Sequence, residues 1–243
     1  MNKNERLLLI SNSAQHGRGY LDHAAAEIQS FLAGVRSVLF VPYALHDRDA
    51  YAETARARFE RMDCALESIH RARDPRQLLE GAEALFVGGG NTFRLLKTLY
   101  AHALLEPIRH RVEAGMPYIG SSAGSVVACP TIKTTNDMPI VETPSLISLG
   151  LVPFQINAHY VDPDPNSTHM GETREVRLRE FHEENPAPVI GLREGSMLRV
   201  ENGATVLKGN TGARIFRRGE TPYELQPGPV VDLVAPQRVG GEA

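Results

Sequence analysis

The chain has 243 residues, 42% of them hydrophobic and 23% charged, values that suit one globular domain with a sizeable core and leave no signature of disorder. A formal net charge of −3 argues against a nucleic-acid partner, which favours a basic face. The two cysteines, Cys64 and Cys129, cannot build a disulfide framework, lack metal-site spacing, and fit a reducing compartment.

In chain order, a short apolar run at 7–11 reads as a buried strand, and a turn follows around 16–19. Only Leu7 to Ile10 are consecutively apolar there, shorter than the roughly 7–15 residues of a signal-peptide core. No segment approaches the ~18 apolar residues of a membrane span. The expectation is a cytoplasmic protein with no membrane partner.

Residues 20–32 read as an amphipathic helix, 38–42 as a strand and 50–62 as a charged helix. A short helix is expected at 74–81, with Asp74 as its N-cap and Pro75 in its first turn. A strand at 84–87 stops at Gly88-Gly89-Gly90. Helices at 92–101 and 105–114, a strand at 117–120 and a helix at 125–128 follow. Such alternation predicts a mainly parallel sheet covered by helices on both faces, with ligands outside the carboxyl ends of its strands.

From 128 to about 168 the pattern is irregular and proline-punctuated, as functional loops often are. Helix returns at 171–184. Short strands are expected at 189–192, 197–200, 205–207 and 214–216, with a hairpin turn at Glu201-Asn202-Gly203. The tail after about 222 is Pro/Gly-rich and expected to be peripheral. The whole chain, 1–243, reads as a single domain.

Gly120-Ser121-Ser122-Ala123-Gly124 matches G-x-S-x-G, the turn that presents a nucleophilic serine between a strand and a helix. Small residues two positions either side of Ser122 permit the sharp turn, and the Ala123 N–H becomes a candidate oxyanion donor. The same pattern also describes a tight turn with a serine cap, so the surroundings decide. Ser121, one residue earlier, should point away from the site. The glycine stretch at 88–90 ends another strand and offers a second set of N–H donors, Gly89 foremost. It is not a phosphate loop: the lysine is absent, and Phe93 stands where the last glycine of a dinucleotide loop belongs.

A serine hydroxyl needs a base. Of nine histidines, His159 alone lies in an apolar stretch inside the loop-rich half, and it is the preferred base. An acid must orient the imidazole. Asp137 lies between serine and histidine; Glu194 follows a strand. Spacing does not choose between them.

These blocks resemble peptidase E, the α-aspartyl dipeptidase family of serine peptidases. The resemblance rests on LLLISNS, FVGGGNTFRLLK (86–97), YIGSSAG (118–124), ACPTIKTTNDMPIV (128–141), QINAHY (155–160), GETRE (171–175) and VIGLREG (189–195). It implies a three-layer α/β/α sandwich like class I glutamine amidotransferase domains. It also implies hydrolysis of dipeptides, and some tripeptides, that begin with aspartate, without metal or organic cofactor. Ser122 becomes the nucleophile and His159 the base; Asp137 is the preferred third member, with Glu194 its rival. Gly89 and Ala123 become the oxyanion donors.

Aspartate specificity calls for a cation, and Arg174 is the candidate reader of the side-chain carboxylate. Asn136 and Glu172 are candidates for the free α-amino group. Two features depart from the family: Ser121 replaces a larger aromatic residue of some members, and 161–170 has no counterpart in the matched blocks. The expected partner is a small peptide, with the protein a monomer or homodimer. Two other readings remain open: a cyanophycinase-like hydrolase of β-aspartyl-arginine, and a non-catalytic amidotransferase-like binding domain.

Overall fold

The structure, a computed structural model, describes residues 4–230 apart from Ser167 and His169. The last part of the tail, 231–243, lies outside the described residues. In chain order the elements are β1 (Arg6–Ile10), α1 (Ala25–Phe31), β2 (Ser37–Val41), α2 (Arg48–Glu60), β3 (Ala65–Ser68), α3 (Pro75–Glu80) and β4 (Leu85–Val87). Then come α4 (Thr92–Ala101), α5 (Leu105–Glu113), β5 (Tyr118–Ser121), α6 (Ala123–Val127) and β6 (Gln155–Tyr160). The chain continues through α7 (Arg174–Glu184), β7 (Val189–Arg193), β8 (Ser196–Glu201), β9 (Ala204–Gly209), β10 (Ala213–Phe216), β11 (Tyr223–Leu225) and β12 (Gly228–Pro229).

The large sheet has eight strands in the order β12-β9-β8-β1-β5-β4-β2-β3. From β1 to β3 its pairings are parallel; β8, β9 and β12 extend it antiparallel. The parallel strands are buried on both faces, so they read as unbroken apolar runs rather than alternating ones. One face packs Leu8, Ile10, Phe40 and Phe86 against Ile28, Phe31, Tyr51 and Phe59 of α1 and α2. The other packs Leu7, Leu9, Leu85 and Val87 against Leu79, Leu95, Leu99, Ile108 and Val126 of α3 to α6. The sheet therefore has helices on both sides, as the sequence pattern predicts.

A second, four-stranded sheet, β11-β10-β7-β6, joins the same core through Ile156, Ala158, Ile190, Leu192 and Ile215. It corrects the reading of 128–168 as irregular throughout, because β6 runs parallel to β7 through that stretch. The start of the tail also has a structural place: β11 pairs with β10, and β12 with β9, at the sheet edges. Asn202 and Gly203, both at positive φ, turn β8 into β9 as the hairpin signal predicts.

Four helix starts are shifted, that of α2 by two residues to Arg48. The segment from Tyr20 begins with a 3-10 turn, Asp22–Ala24, preceded by Leu21 at φ 55°. The last helix starts at Arg174 rather than Gly171, where the Thr173 hydroxyl caps the Val176 N–H at 3.3 Å. The helix after the G-x-S-x-G turn starts at Ala123, two residues earlier than expected.

Candidate active site

β5 ends at Ser121, and the chain turns at Ser122 with φ 51° and ψ −110°. A non-glycine residue there is strained by about 1–3 kcal/mol and must be held by its surroundings. The restraints are specific. The Ser122 N–H donates to the Ile10 carbonyl at 2.9 Å, and the Ser122 carbonyl accepts from Ser125 and Val126. The Ser125 hydroxyl reaches the carbonyls of Ile10 (2.7 Å) and Gly120 (2.9 Å). Gly124 packs so tightly on β4 that a side chain there would collide with the Val87 carbonyl. Ser121 is fully buried.

His159 also stands at positive φ, 52°, where a register shift interrupts β6 between Ala158 and Tyr160. The irregularity swings the imidazole towards the serine, a known use of bulges beside active sites. The Ser11 hydroxyl accepts from the His159 N–H at 3.0 Å and donates to the Leu192 carbonyl at 2.7 Å. On the other side, Asn136 Nδ2 donates to the Ala158 carbonyl at 2.7 Å.

His159 Nε2 lies 2.9 Å from Ser122 Oγ, and Nδ1 lies 2.7 Å from Glu194 Oε1. An ionised carboxylate only accepts, so Nδ1 carries the proton and Nε2 presents its lone pair to the serine hydroxyl. Glu194 follows β7 directly. Its carbonyl accepts from Thr211 at 2.7 Å, and the next N–H, of Gly195, donates to Asn12 Oδ1 at 2.8 Å.

The preference for Asp137 beside the histidine is therefore corrected. Asp137 Oδ2 accepts from the Thr92 N–H (2.8 Å), the Thr92 hydroxyl (2.5 Å) and the Thr135 hydroxyl (3.2 Å), at the start of α4. It ties the 134–137 loop to the first residue of α4 and leaves His159 to Glu194. The sheet places Glu194: it lies just past a strand parallel to β6, hence at the same sheet end as His159, and Tyr160 pairs with Arg193.

Among the oxyanion candidates, Ala123 opens α6 beside the nucleophile. Gly89 backs onto it: a Cβ built on Gly89 would lie 3.1 Å from Ser122 Cβ. Arg174 is half-buried at the start of α7, and burial together with neighbouring Arg177 depresses its guanidinium pKa while Asp137 opposes that shift. Among the described residues none hydrogen-bonds or ion-pairs with it. It lines a cavity of about 690 Å³ with Asn136, Asp162, Glu172 and Arg177.

The amino-group candidates fare differently. Asn136 has both amide ends engaged, donating to Ala158 and accepting from Asn157 Nδ2 at 2.8 Å, so it braces the His159 strand. Glu172 is exposed and meets Arg177 at 3.6 Å. Among the described residues no group of three or more His, Cys, Asp or Glu is placed to hold a metal ion, and no helix is long and apolar enough to cross a membrane.

A serine on a strained strand-to-helix turn, bonded to a carboxylate-backed histidine at the carboxyl end of a parallel sheet, defines a serine hydrolase on an amidotransferase-like α/β fold. The model for peptidase family S51 matches residues 7–208, and the chain belongs to that family of serine peptidases. It is 57% identical over 224 residues to a peptidase E of Streptomyces coelicolor, covering 91% of each chain. It is 48% identical over 224 residues to a "probable alpha-aspartyl dipeptidase" of Drosophila melanogaster, covering 91% of this chain and 93% of that protein. A solved peptidase from an acI-B1 Actinobacterium shares the fold, with a TM-score of 0.69 at 16% identity over 93% of this chain and 96% of that one.

Proposed function

We propose that this peptidase hydrolyses dipeptides, and some tripeptides, with an N-terminal aspartate, through an acyl-enzyme on Ser122. The observation that carries the reading is Arg174, a half-buried guanidinium with no hydrogen-bond or ion-pair partner among the described residues, in a cavity it shares with Asn136, whose amide holds the carbonyl preceding His159. A fixed guanidinium matches a short carboxylate bidentately. The aspartyl name of the Drosophila relative points the same way.

In this reading His159 Nε2 takes the Ser122 proton as Oγ attacks the scissile carbonyl. The oxyanion develops against the N–H groups of Ala123 and Gly89, and Glu194 stabilises the imidazolium. His159 then protonates the leaving amine, whose departure leaves the aspartyl ester. Water, activated by the same imidazole, attacks the ester and frees Ser122. Nucleophile, base and charge stabilisation all come from the chain, so the reading needs no metal or organic cofactor. The acidic side chains around Arg174, Glu172 among them, suit the substrate's α-ammonium group. Two free thiols suit a cytoplasmic setting.

The test is hydrolysis of Asp-Leu against Glu-Leu, Asn-Leu, Ala-Leu and β-Asp-Arg. Asp-Leu is expected to exceed the others, and Arg174→Ala to lose the Asp-over-Asn preference by roughly 100-fold or more, as when a site built for a polar group loses that partner. Cleavage of β-Asp-Arg alone overturns the α-aspartyl assignment. Absence of Ser122 labelling by a fluorophosphonate overturns the acyl-enzyme.

A further inference from the structure

A second cavity, of about 640 Å³, flanks the glycine loop and is lined by Ser13, Tyr20, Leu45, Asp47, Tyr51 and Gly89, among others, none of which lines the Arg174 cavity. We infer that it receives the residue on the leaving side of the scissile bond, and that Leu45, with Tyr20 and Tyr51, makes it select an apolar side chain there. The inference rests on the proposed aspartyl peptidase reading and extends it to the other half of the substrate.

Placement is the first argument. The Arg174 cavity approaches the relay past Asn136, which is bonded to the carbonyl preceding His159. The second cavity is lined by other residues and reaches the nucleophile along Gly89, whose built Cβ would lie 3.1 Å from Ser122 Cβ and 3.2 Å from the Ser121 carbonyl oxygen. A carbonyl attacked by Ser122 has its acyl half on one side and its amine half on the other. With the aspartyl side chain on Arg174, the amine half extends over the glycine loop.

Wall chemistry is the second. Leu45 is 38% exposed, and its tip lies over Gly90, where a built Cβ would be 2.7 Å from Leu45 Cδ2. The rings of Tyr20 and Tyr51 meet edge to face at 6.0 Å, and their hydroxyls are 3.2 Å apart. The Tyr20 hydroxyl donates to the Tyr51 hydroxyl, which in turn lies against the backbone of Gly88 and Gly89, so the rings present mainly carbon to a ligand. Asp47 spends its carboxylate on capping the Ala50 N–H at 2.9 Å, yet its negative charge remains at the rim. An acidic leaving residue meets like charge there, whereas leucine or phenylalanine meets Leu45 and the aromatic wall.

The experiment compares kcat/KM for Asp-Leu, Asp-Gly and Asp-Asp in the wild type, Leu45→Ala and Leu45→Lys. The wild type is expected to favour Asp-Leu over Asp-Gly by about tenfold, typical of an apolar pocket gaining a side chain. Leu45→Ala should shrink that ratio by about threefold or more, and Leu45→Lys should raise Asp-Asp relative to Asp-Leu. A wild type that cleaves both peptides equally, or variants that keep both wild-type ratios, overturn the inference. A wild type that cleaves no aspartyl peptide fails at the earlier step and removes the proposed function with it.

Discussion

Replacing Glu194 tests the relay most directly. Its carboxylate lies 2.7 Å from His159 Nδ1, and the two side chains are 51% and 42% exposed. Two unit charges 4 Å apart are worth ~4 kcal/mol at a surface-like effective dielectric and ~1 kcal/mol in water. A half-exposed pair falls between these limits, so losing the carboxylate costs the imidazolium-bearing transition state ~2 kcal/mol, or roughly 30-fold in rate. That is far below the ~10⁴-fold loss on neutralising a buried triad aspartate, because solvent partly replaces the missing charge. The assay is kcat/KM on Asp-Leu for Glu194→Gln, with fluorophosphonate labelling of Ser122 as an independent report on nucleophile activation. Both should slow together. Glu194→Gln with wild-type rates in both would refute the reasoning, because the histidine would then be oriented and charge-balanced by something else.

Three further expectations follow from the geometry. Asp137→Ala strands the Thr92 N–H and loosens the 134–137 loop, a loss of about 1–3 kcal/mol; Tm should fall by roughly 2–10 °C, which calorimetry would detect. Burial pushes the Cys129 thiol up to about 12, and burial also raises Cys64, so native protein should resist iodoacetamide at a pH where denatured protein is alkylated rapidly. Arg193 holds the carboxyls of Asp162 and Glu224 below their ordinary values of 3.8 and 4.5. Depressed carboxyl values contribute stability that is fully present above the ordinary range and fades as pH falls through the folded values. The Tm gap between wild type and Arg193→Met should therefore be open near about pH 6 and narrow towards about pH 3, and an unchanged gap would contradict the assignment.

What was legible in the sequence follows from how local each feature is. β1, β2 and β4 announce themselves because burial on both faces demands unbroken apolar runs. The G-x-S-x-G turn is legible because its small residues answer contacts with the neighbouring backbone, Gly124 against Val87 being the tightest. β6 is harder, since Asn157 and His159 break its apolar run. The Asn157 amide finds its partners in the Thr134 carbonyl (2.9 Å) and Asn136, more than twenty positions away in the chain. Short β3, with the pattern Ala65-Leu66-Glu67-Ser68, carries too little to distinguish it from a turn. The choice between Asp137 and Glu194 failed for a related reason. The family resemblance favoured the aspartate, but which acid reaches His159 depends on β7 lying beside β6, a pairing that no local pattern encodes.

Both reacting side chains hang from backbone that L-residues avoid, Ser122 at φ 51° and His159 at φ 52°. Glycine tolerates such dihedrals without the Cβ penalty. Heat resistance and turnover therefore pull in opposite directions at these two positions. A lineage freed from the need to cut peptides would drift towards glycine at the elbow, keeping the sheet, the helices and the cavities while the chemistry disappeared. A directed-evolution campaign that screened only for survival at high temperature would tend to discard the nucleophile among its first improvements.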